Sequence, residues 1–186
     1  MSKIAIIVPY RNRKKQLDRF LNYFKNSNLD CHIFVVEQDD EKPFNQGKLL
    51  NVGFLEAVKD FDYFAFHDVD LIPDSDVDYT CDVDKPIHLA GYTSEYDYEL
   101  QFADYFGGVT LFTREQYEIV NGRSNNYWGW GFEDDDLLFR CKEAGLLTDS
   151  KFFGIDKSNL FSYLKFDGYN DYVKIKVTEE LRKLTK

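Results

Sequence analysis

From Lys3 to Val8 the chain runs apolar without a break and rich in β-branched residues, the pattern of a strand buried in a parallel sheet. Pro9 reads as the end of that strand. After a basic turn, Arg11-Asn12-Arg13-Lys14-Lys15, the apolar positions Leu17, Phe20, Leu21 and Phe24 recur at helix spacing and predict one buried helix face. The pattern then repeats. His32 to Glu37 reads as a second strand, Gln38 to Lys42 as a polar loop, and Leu49, Leu50, Phe54, Ala57 and Val58 as the buried face of a second helix. Tyr63 to His67 is a third strand. Two rounds of strand and helix predict an α/β fold around a mostly parallel sheet flanked by helices. Further on, Pro86 to Gly91 and Tyr105 to Phe112 read as strands, the latter with adjacent glycines at 107 and 108. Thr113 and Gln116 have capping-box spacing, and a short helix to Val120 is stopped by Asn121-Gly122. Leu137, Leu138, Cys141 and Ala144 mark a last helix that Gly145 can cap. Phe152 to Leu164 is mixed, Tyr172 to Val177 alternates like an edge strand, and Thr178 to Leu184 reads as a terminal helical turn. No repeat or linker interrupts the chain, so residues 1–186 read as one domain.

Charge and composition narrow the chemistry. The 186 residues carry a net charge of −10, which argues against a nucleic-acid partner, since that needs a basic surface. An acidic protein that handles a phosphorylated ligand needs a metal ion or a local cationic pocket as mediator. Three scattered cysteines make neither a metal cluster nor a disulfide scaffold. The start of the chain does not read as a signal peptide, and no apolar stretch reaches membrane-spanning length, so the expectation is a soluble, cytoplasmic protein without a membrane anchor.

One stretch stands out, Asn126-Tyr127-Trp128-Gly129-Trp130-Gly131-Phe132-Glu133-Asp134-Asp135-Asp136. It holds the only two tryptophans, set between glycines and followed by four consecutive carboxylates. Glycines let the backbone turn so that an indole is displayed, and a displayed indole is a platform for the apolar face of a sugar ring or for a base. Acids in a first helical turn are favoured by the macrodipole, which accounts for one or two of them. Four against a Trp-Gly-Trp-Gly loop read as a binding and catalytic site. Asp68-Val69-Asp70 ends the third strand, where open sheets place ligands, and two carboxylates on the same side of an extended chain can share a cation or divide it with a ribose. Asp-Val-Asp recurs at 76–78 and 82–84 in a polar loop and reads there as solvated. A calcium loop from Asp74 fails, because its sixth and twelfth positions are Tyr79 and Lys85 rather than Gly and Glu. The cations from Arg11 to Lys15 stand where a phosphate would lie at the sheet edge, or else merely solvate a helix end. Gly107-Gly108 permits close backbone approach to a ligand. His88 reads as a packed or surface histidine, since no partner stands at metal-ligand spacing.

Five blocks, in order, carry a resemblance: Val8-Pro9-Tyr10-Arg11-Asn12-Arg13, Phe44 to Phe54, Asp68 to Pro73, Tyr105 to Val109, and Trp128 to Asp136. Together they resemble the β1,4-galactosyltransferase family, glycosyltransferase family 7, over roughly residues 3 to 147. The resemblance implies a GT-A fold, the Rossmann-like nucleotide-sugar-binding architecture, and an inverting transfer of galactose from UDP-galactose to a saccharide acceptor. It implies that Pro9, Tyr10, Arg11 and Arg13 hold uridine and phosphates. Asp68, Val69 and Asp70 match the DxD motif, with Asp70 the direct ligand of Mn²⁺. Tyr105, beside Gly108 in the donor site, matches the position at which tyrosine favours galactose over N-acetylgalactosamine. Trp130 matches a mobile tryptophan that closes over the donor. Glu133, Asp134 and Asp135 match the acceptor-binding acids, with Asp134 in the place of the catalytic base. The chain departs from the family at Gln46, where arginine is common, at Phe132, where glycine is common, and at Glu95, which is lysine in some members. It also has no histidine after His88, where members carry a metal-binding histidine in a loop beyond the acidic motif.

The leading reading is thus a UDP-galactose-dependent inverting glycosyltransferase with a manganese site weakened by one ligand. The alternative is a catalytically inactive sugar- or nucleotide-binding module that has lost its metal-binding loop. In a metal-free variant of the leading reading, Lys151, Lys157 or Lys165 would neutralise the phosphates.

Overall fold

The computed structural model describes residues 3–74, 76–100, 104–147 and 160–163. The elements that build its main sheet are β1 (Ile4–Tyr10), β2 (Cys31–Glu37), β3 (Tyr63–His67), β5 (Ile87–His88) and β7 (Val109–Thr113). They lie in the order β2-β1-β3-β7-β5. β1 pairs parallel with both β2 and β3, whereas β7 is antiparallel to β3 and to β5. β7 alone therefore runs against the others, and the mostly parallel α/β sheet follows. A smaller sheet, β4 (Leu71–Pro73), β8 (Leu160–Tyr163) and β6 (Tyr92–Thr93), has the order β4-β8-β6.

Alternation along the strands divides the core. Ile4, Ile6 and Val8 of β1 join Ala65, Val109, Leu111 and Phe161 on one face, against α1 (Lys14–Asn26). Ala5 and Ile7 join Phe64, Phe66 and Phe112 on the other, against α2 (Gln46–Ala57), α3 (Arg114–Ile119) and α4 (Glu133–Glu143). The helix starts follow local chemistry. Asn45 caps α2 by accepting from the Lys48 N–H at 2.9 Å, and Thr113 and Gln116 form a reciprocal capping box at α3.

Several expectations are corrected. β1 runs through Pro9 to Tyr10 rather than stopping there. β3 accompanies β1 only as far as Ile7, so Pro9 sits where β1 has a neighbour on one side, and a missing N–H is tolerated. On α1 the buried line is Gln16, Phe20 and Phe24, while Leu21 is exposed, because the helix sits slightly rotated from the face its leucines mark. Ala144 lies exposed at the end of α4, with Gly145 at φ +71° closing the helix. The strand expected at Tyr172–Val177 and the helical turn at Thr178–Leu184 lie outside the described residues. Among the described residues no helix is long and apolar enough to cross a membrane.

Candidate active site

The site forms where β3 ends beside the start of β7, with His67 opposite Val109. After His67 the chain turns, with the Leu71 N–H donating to the Asp68 carbonyl at 3.3 Å. Asp68 and Asp70 therefore meet across a turn over the buried Val69, and not on one side of an extended stretch as the sequence suggests. The Asp68 N–H donates to the Gly108 carbonyl at 2.9 Å, tying the turn to the opposite strand. The Gln46 amide donates to Asp68 Oδ1 at 2.6 Å and so holds the first carboxylate without adding charge. Asp70 forms an ion pair with Arg13. Burial, then Asp70 and Asp134, push the Asp68 carboxyl well above the usual carboxylate range, and Arg123 and Arg13 act against that rise. Burial also raises Asp70, with Arg13 opposing it.

The two arginines of the basic turn part company. Arg13 reaches Asp70, but Arg11 donates to the Lys42 carbonyl at 2.6 Å and lies over the Phe44 ring at 5.4 Å. Pro9 and Tyr10 are buried in β1, and burial raises the Tyr10 hydroxyl above its ordinary value.

Gly107 and Gly108 form the floor. A Cβ on Gly107 would stand 2.6 Å from Asp134 Oδ2 and 2.8 Å from the Tyr105 ring; Gly108 adopts φ +78°, and a Cβ there would meet Leu71 and Ala90. His88 is packed beneath, as expected. Its Nε2 lies 2.7 Å from the Gly107 carbonyl, and burial lowers its pKa to about 4, so at neutral pH the uncharged ring donates there. His88 also meets the Tyr105 ring edge-on at 5.2 Å, which fixes the tyrosine against the glycines. Burial, followed by the charges of Asp68 and Asp134, raises the Tyr105 hydroxyl strongly.

The tryptophan loop leads directly into the N-terminal end of α4, whose Asp134 reaches this floor. Gly129 and Gly131 adopt φ +91° and +109° with no atom near their missing Cβ positions, so backbone conformation and not crowding requires glycine. The Gly129 N–H is anchored to the Phe44 carbonyl at 2.7 Å, Lys42 lies 5.5 Å from the Trp128 ring, and Trp130 is 97% exposed. The four acids take separate places. Glu133 is buried, with Oε2 unpartnered among the described residues; Asp134 pairs with Arg123; Asp135 is exposed; Asp136 pairs with Arg140. Arg123, buried and paired with Asp134, is a member of this cluster that the sequence reading does not single out, since a lone arginine in the polar run Asn121 to Asn126 looks like an ordinary surface cation.

The donor chemistry suits a hard divalent ion. Asp68 and Asp70 offer carboxylate oxygens whose charged forms burial disfavours, at Asp68 with added repulsion from Asp70 and Asp134, a penalty that a cation would relieve. Among the described residues no group of three or more His, Cys, Asp and Glu side chains could hold a metal ion by itself. The two carboxylates would therefore suit an ion that takes its remaining ligands from outside this set of side chains.

Comparison with known proteins is consistent along the chain. Residues 1–82 match the N-terminal region of glycosyl transferase group 7, and residues 87–162 match the N-terminal domain of galactosyltransferase. The chain is 48% identical to β-1,4-galactosyltransferase 4 of Mus musculus over 149 residues, covering 76% of this chain and 43% of that protein. It is 45% identical over 146 residues to a β-N-acetyl-D-glucosaminide β-1,4-N-acetylglucosaminyl-transferase of Lymnaea stagnalis, covering 75% of this chain and 30% of that protein. The chain thus spans less than half the length of these curated relatives. The catalytic domain of Drosophila β1,4-galactosyltransferase 7 in complex with xylobiose superimposes with a TM-score of 0.76 at 34% identity, over 100% of this chain and 79% of that one. A mutant of that enzyme in complex with manganese, UDP-Gal and xylobiose gives a TM-score of 0.75 at 33% identity, over 98% and 80% of the two chains.

Proposed function

Because the chain belongs to glycosyl transferase group 7, the β1,4-galactosyltransferase family with its GT-A fold, we propose that it is an inverting galactosyltransferase taking UDP-galactose as donor and a saccharide hydroxyl as acceptor. The observation that carries this reading is the meeting of Asp134 Oδ2 and the Tyr105 ring over Gly107, beside the Asp68–Asp70 turn. A proton acceptor thereby stands against the floor on which a donor sugar would lie.

In this reading Asp134 takes the proton of the acceptor hydroxyl as its oxygen bonds to the anomeric carbon. The bond from that carbon to the diphosphate oxygen breaks on the opposite side, the electron pair leaves with UDP, and configuration inverts. Arg13, already paired with Asp70, is a cation that would face the departing diphosphate. Asp70, and Asp68 behind it, would hold Mn²⁺, which supplies positive charge to the leaving group when bound. Trp130, exposed between two glycines, can fold over the bound sugars and exclude water. Tyr105, braced by His88 and packed against Gly107 and Gly108, would be the residue that denies space to an N-acetyl group on the donor, and those contacts support the reading. The relative that transfers N-acetylglucosamine is as similar in sequence as the galactosyltransferases, so the donor assignment rests on this tyrosine.

The test is a transfer assay with UDP-galactose, UDP-N-acetylgalactosamine and UDP-N-acetylglucosamine against a panel of N-acetylglucosamine, glucose and xylose glycosides, with Mn²⁺ present. Acceptor-dependent UDP release and a β-linked galactose product are expected. Tight UDP binding with no transfer to any acceptor would favour the inactive binding module.

A further inference from the structure

The geometry points to Arg123 as the positioning residue of the proposed base: its buried guanidinium holds Asp134 Oδ1 and leaves Oδ2 as the oxygen offered to the acceptor. The inference rests on the role proposed for Asp134 and deepens it. Arg123 is 4% exposed, and its Nη1 donates to Asp134 Oδ1. Asp134 Oδ2 is the atom found against Gly107 and Tyr105. One guanidinium bond thus divides the carboxylate into a fixed oxygen and a working one.

The backbone of Arg123 is itself clamped. Asn51, on α2, accepts from the Arg123 N–H at 2.9 Å and donates to its carbonyl at 2.6 Å. The same Asn51 oxygen accepts from the Tyr117 hydroxyl of α3 at 2.7 Å, and a Cβ on Gly122 would stand 2.6 Å from it. Arg140 of α4 donates to the Val120 and Gly122 carbonyls. Three helices therefore fix the turn from which the guanidinium reaches Asp134. A peripheral ion pair has no need of such a frame.

Charge points the same way. A cation withdrawn from water carries a large desolvation cost and persists only where carboxylates offset it. Burial works against the Arg123 charge, and Asp134 and Tyr117, with Asp68 beyond them, outweigh it. The guanidinium thus faces the acceptor-side acid and the donor-side acid at once. With Gln46 uncharged beside Asp68, Arg123 is the buried cation among the described residues that lets these two carboxylates coexist.

The experiment is a double-mutant cycle on kcat with Arg123→Met and Asp134→Asn, run alongside UDP binding and thermal denaturation. Misplacing a reacting group typically costs about 10²-fold, so Arg123→Met should lower kcat by that order while UDP affinity stays within about threefold of the unmodified protein. Asp134→Asn should then cost far less in the Arg123→Met background than alone, because the two residues act as a unit. Added methylguanidinium should restore part of the kcat of Arg123→Ala and none of Asp134→Asn. If Arg123→Met does not fold, Arg123→Lys, which keeps a cation in place, enters the same cycle. Additive effects on kcat, or an unchanged kcat in a folded Arg123 variant, would overturn the inference. An unmodified protein that binds UDP but transfers no sugar would instead overturn the proposed activity on which the inference rests.

Discussion

Asp134 and Gly107 lie so close that no side chain fits between them: a Cβ on Gly107 would stand 2.6 Å from Asp134 Oδ2. The other obstacle at that point is the Tyr105 ring, 2.8 Å away. Both are ends of side chains, so an added methyl can be accommodated by pushing them aside without breaking the sheet. Gly107→Ala should accordingly cost about 1–3 kcal/mol of stability through overpacking, while kcat falls about 10²-fold as Asp134 moves. Thermal denaturation and steady-state kinetics on one sample check this. A variant with full kcat would mean that Asp134 is not held at the reacting position.

The four acids at the start of α4 make a second comparison. Asp134→Asn keeps the shape and the Arg123 bond through its carbonyl oxygen but removes the proton acceptor, so kcat should drop about 10²–10⁴-fold with UDP binding nearly intact. Asp135 is exposed, and Asp135→Asn should change acceptor KM more than kcat. A crippled Asp135→Asn beside a mild Asp134→Asn would reverse the assignment.

These sites differ in how far the sequence foretells them. Ile4 to Val8, Tyr63 to His67 and the Leu49–Phe54 face are apolar runs whose period fixes the element type, and they appear where expected. Thr113 with Gln116 is a local hydrogen-bonding pattern and is equally visible. The Asp68–Asp70 pair is legible as chemistry but not as geometry, because the turn over Val69 depends on the Asp68 bond to Gly108, forty residues away. Arg123 is illegible: its burial arises from Asn51, Tyr117 and Arg140 on three different helices. The rotation of α1 that buries Gln16 in place of Leu21 is likewise a matter of tertiary packing.

His88 gives the fold a pH dependence. Its folded pKa of about 4 lies below the model-peptide value of 6.5, through burial, so the unfolded chain takes up a proton that the native state refuses. The stabilisation is fully present above pH 6.5 and is lost as pH falls towards 4. For this fully buried group the gap corresponds to about 3 kcal/mol. His88→Gln, with an amide to donate to the Gly107 carbonyl, should flatten the loss of urea-unfolding free energy between those pH values. Parallel curves for the two proteins would show that His88 does not titrate as its burial implies.

Tyr105 should set the donor. The ring is held between His88 and the missing Cβ positions of Gly107 and Gly108. UDP-galactose should turn over much faster than UDP-N-acetylgalactosamine, and Tyr105→Leu should narrow the gap by opening the space beside the sugar 2-position. Equal use of both donors by the unmodified protein would remove Tyr105 from this role.

The proposed cation would have few protein ligands among the described residues. Asp68 and Asp70 are two carboxylates at the place where a diphosphate would lie, and without positive charge they would repel it. Arg13 neutralises part of that charge, yet burial still holds both carboxyls above their ordinary range, with repulsion from Asp70 and Asp134 adding to it at Asp68. No third His, Cys, Asp or Glu joins them among the described residues, and the lysines that the sequence offers instead, Lys151, Lys157 and Lys165, lie outside those residues. A site of this kind should bind Mn²⁺ weakly alone and more tightly once UDP adds its phosphate oxygens. Titration of Mn²⁺ followed by its electron paramagnetic resonance signal should therefore give an affinity that rises sharply on adding UDP, and Asp70→Ala should abolish the rise. Transfer should vanish in excess EDTA and return with Mn²⁺. Full transfer in EDTA, with no UDP-dependent gain in Mn²⁺ affinity, would assign the leaving-group charge to arginine or lysine side chains.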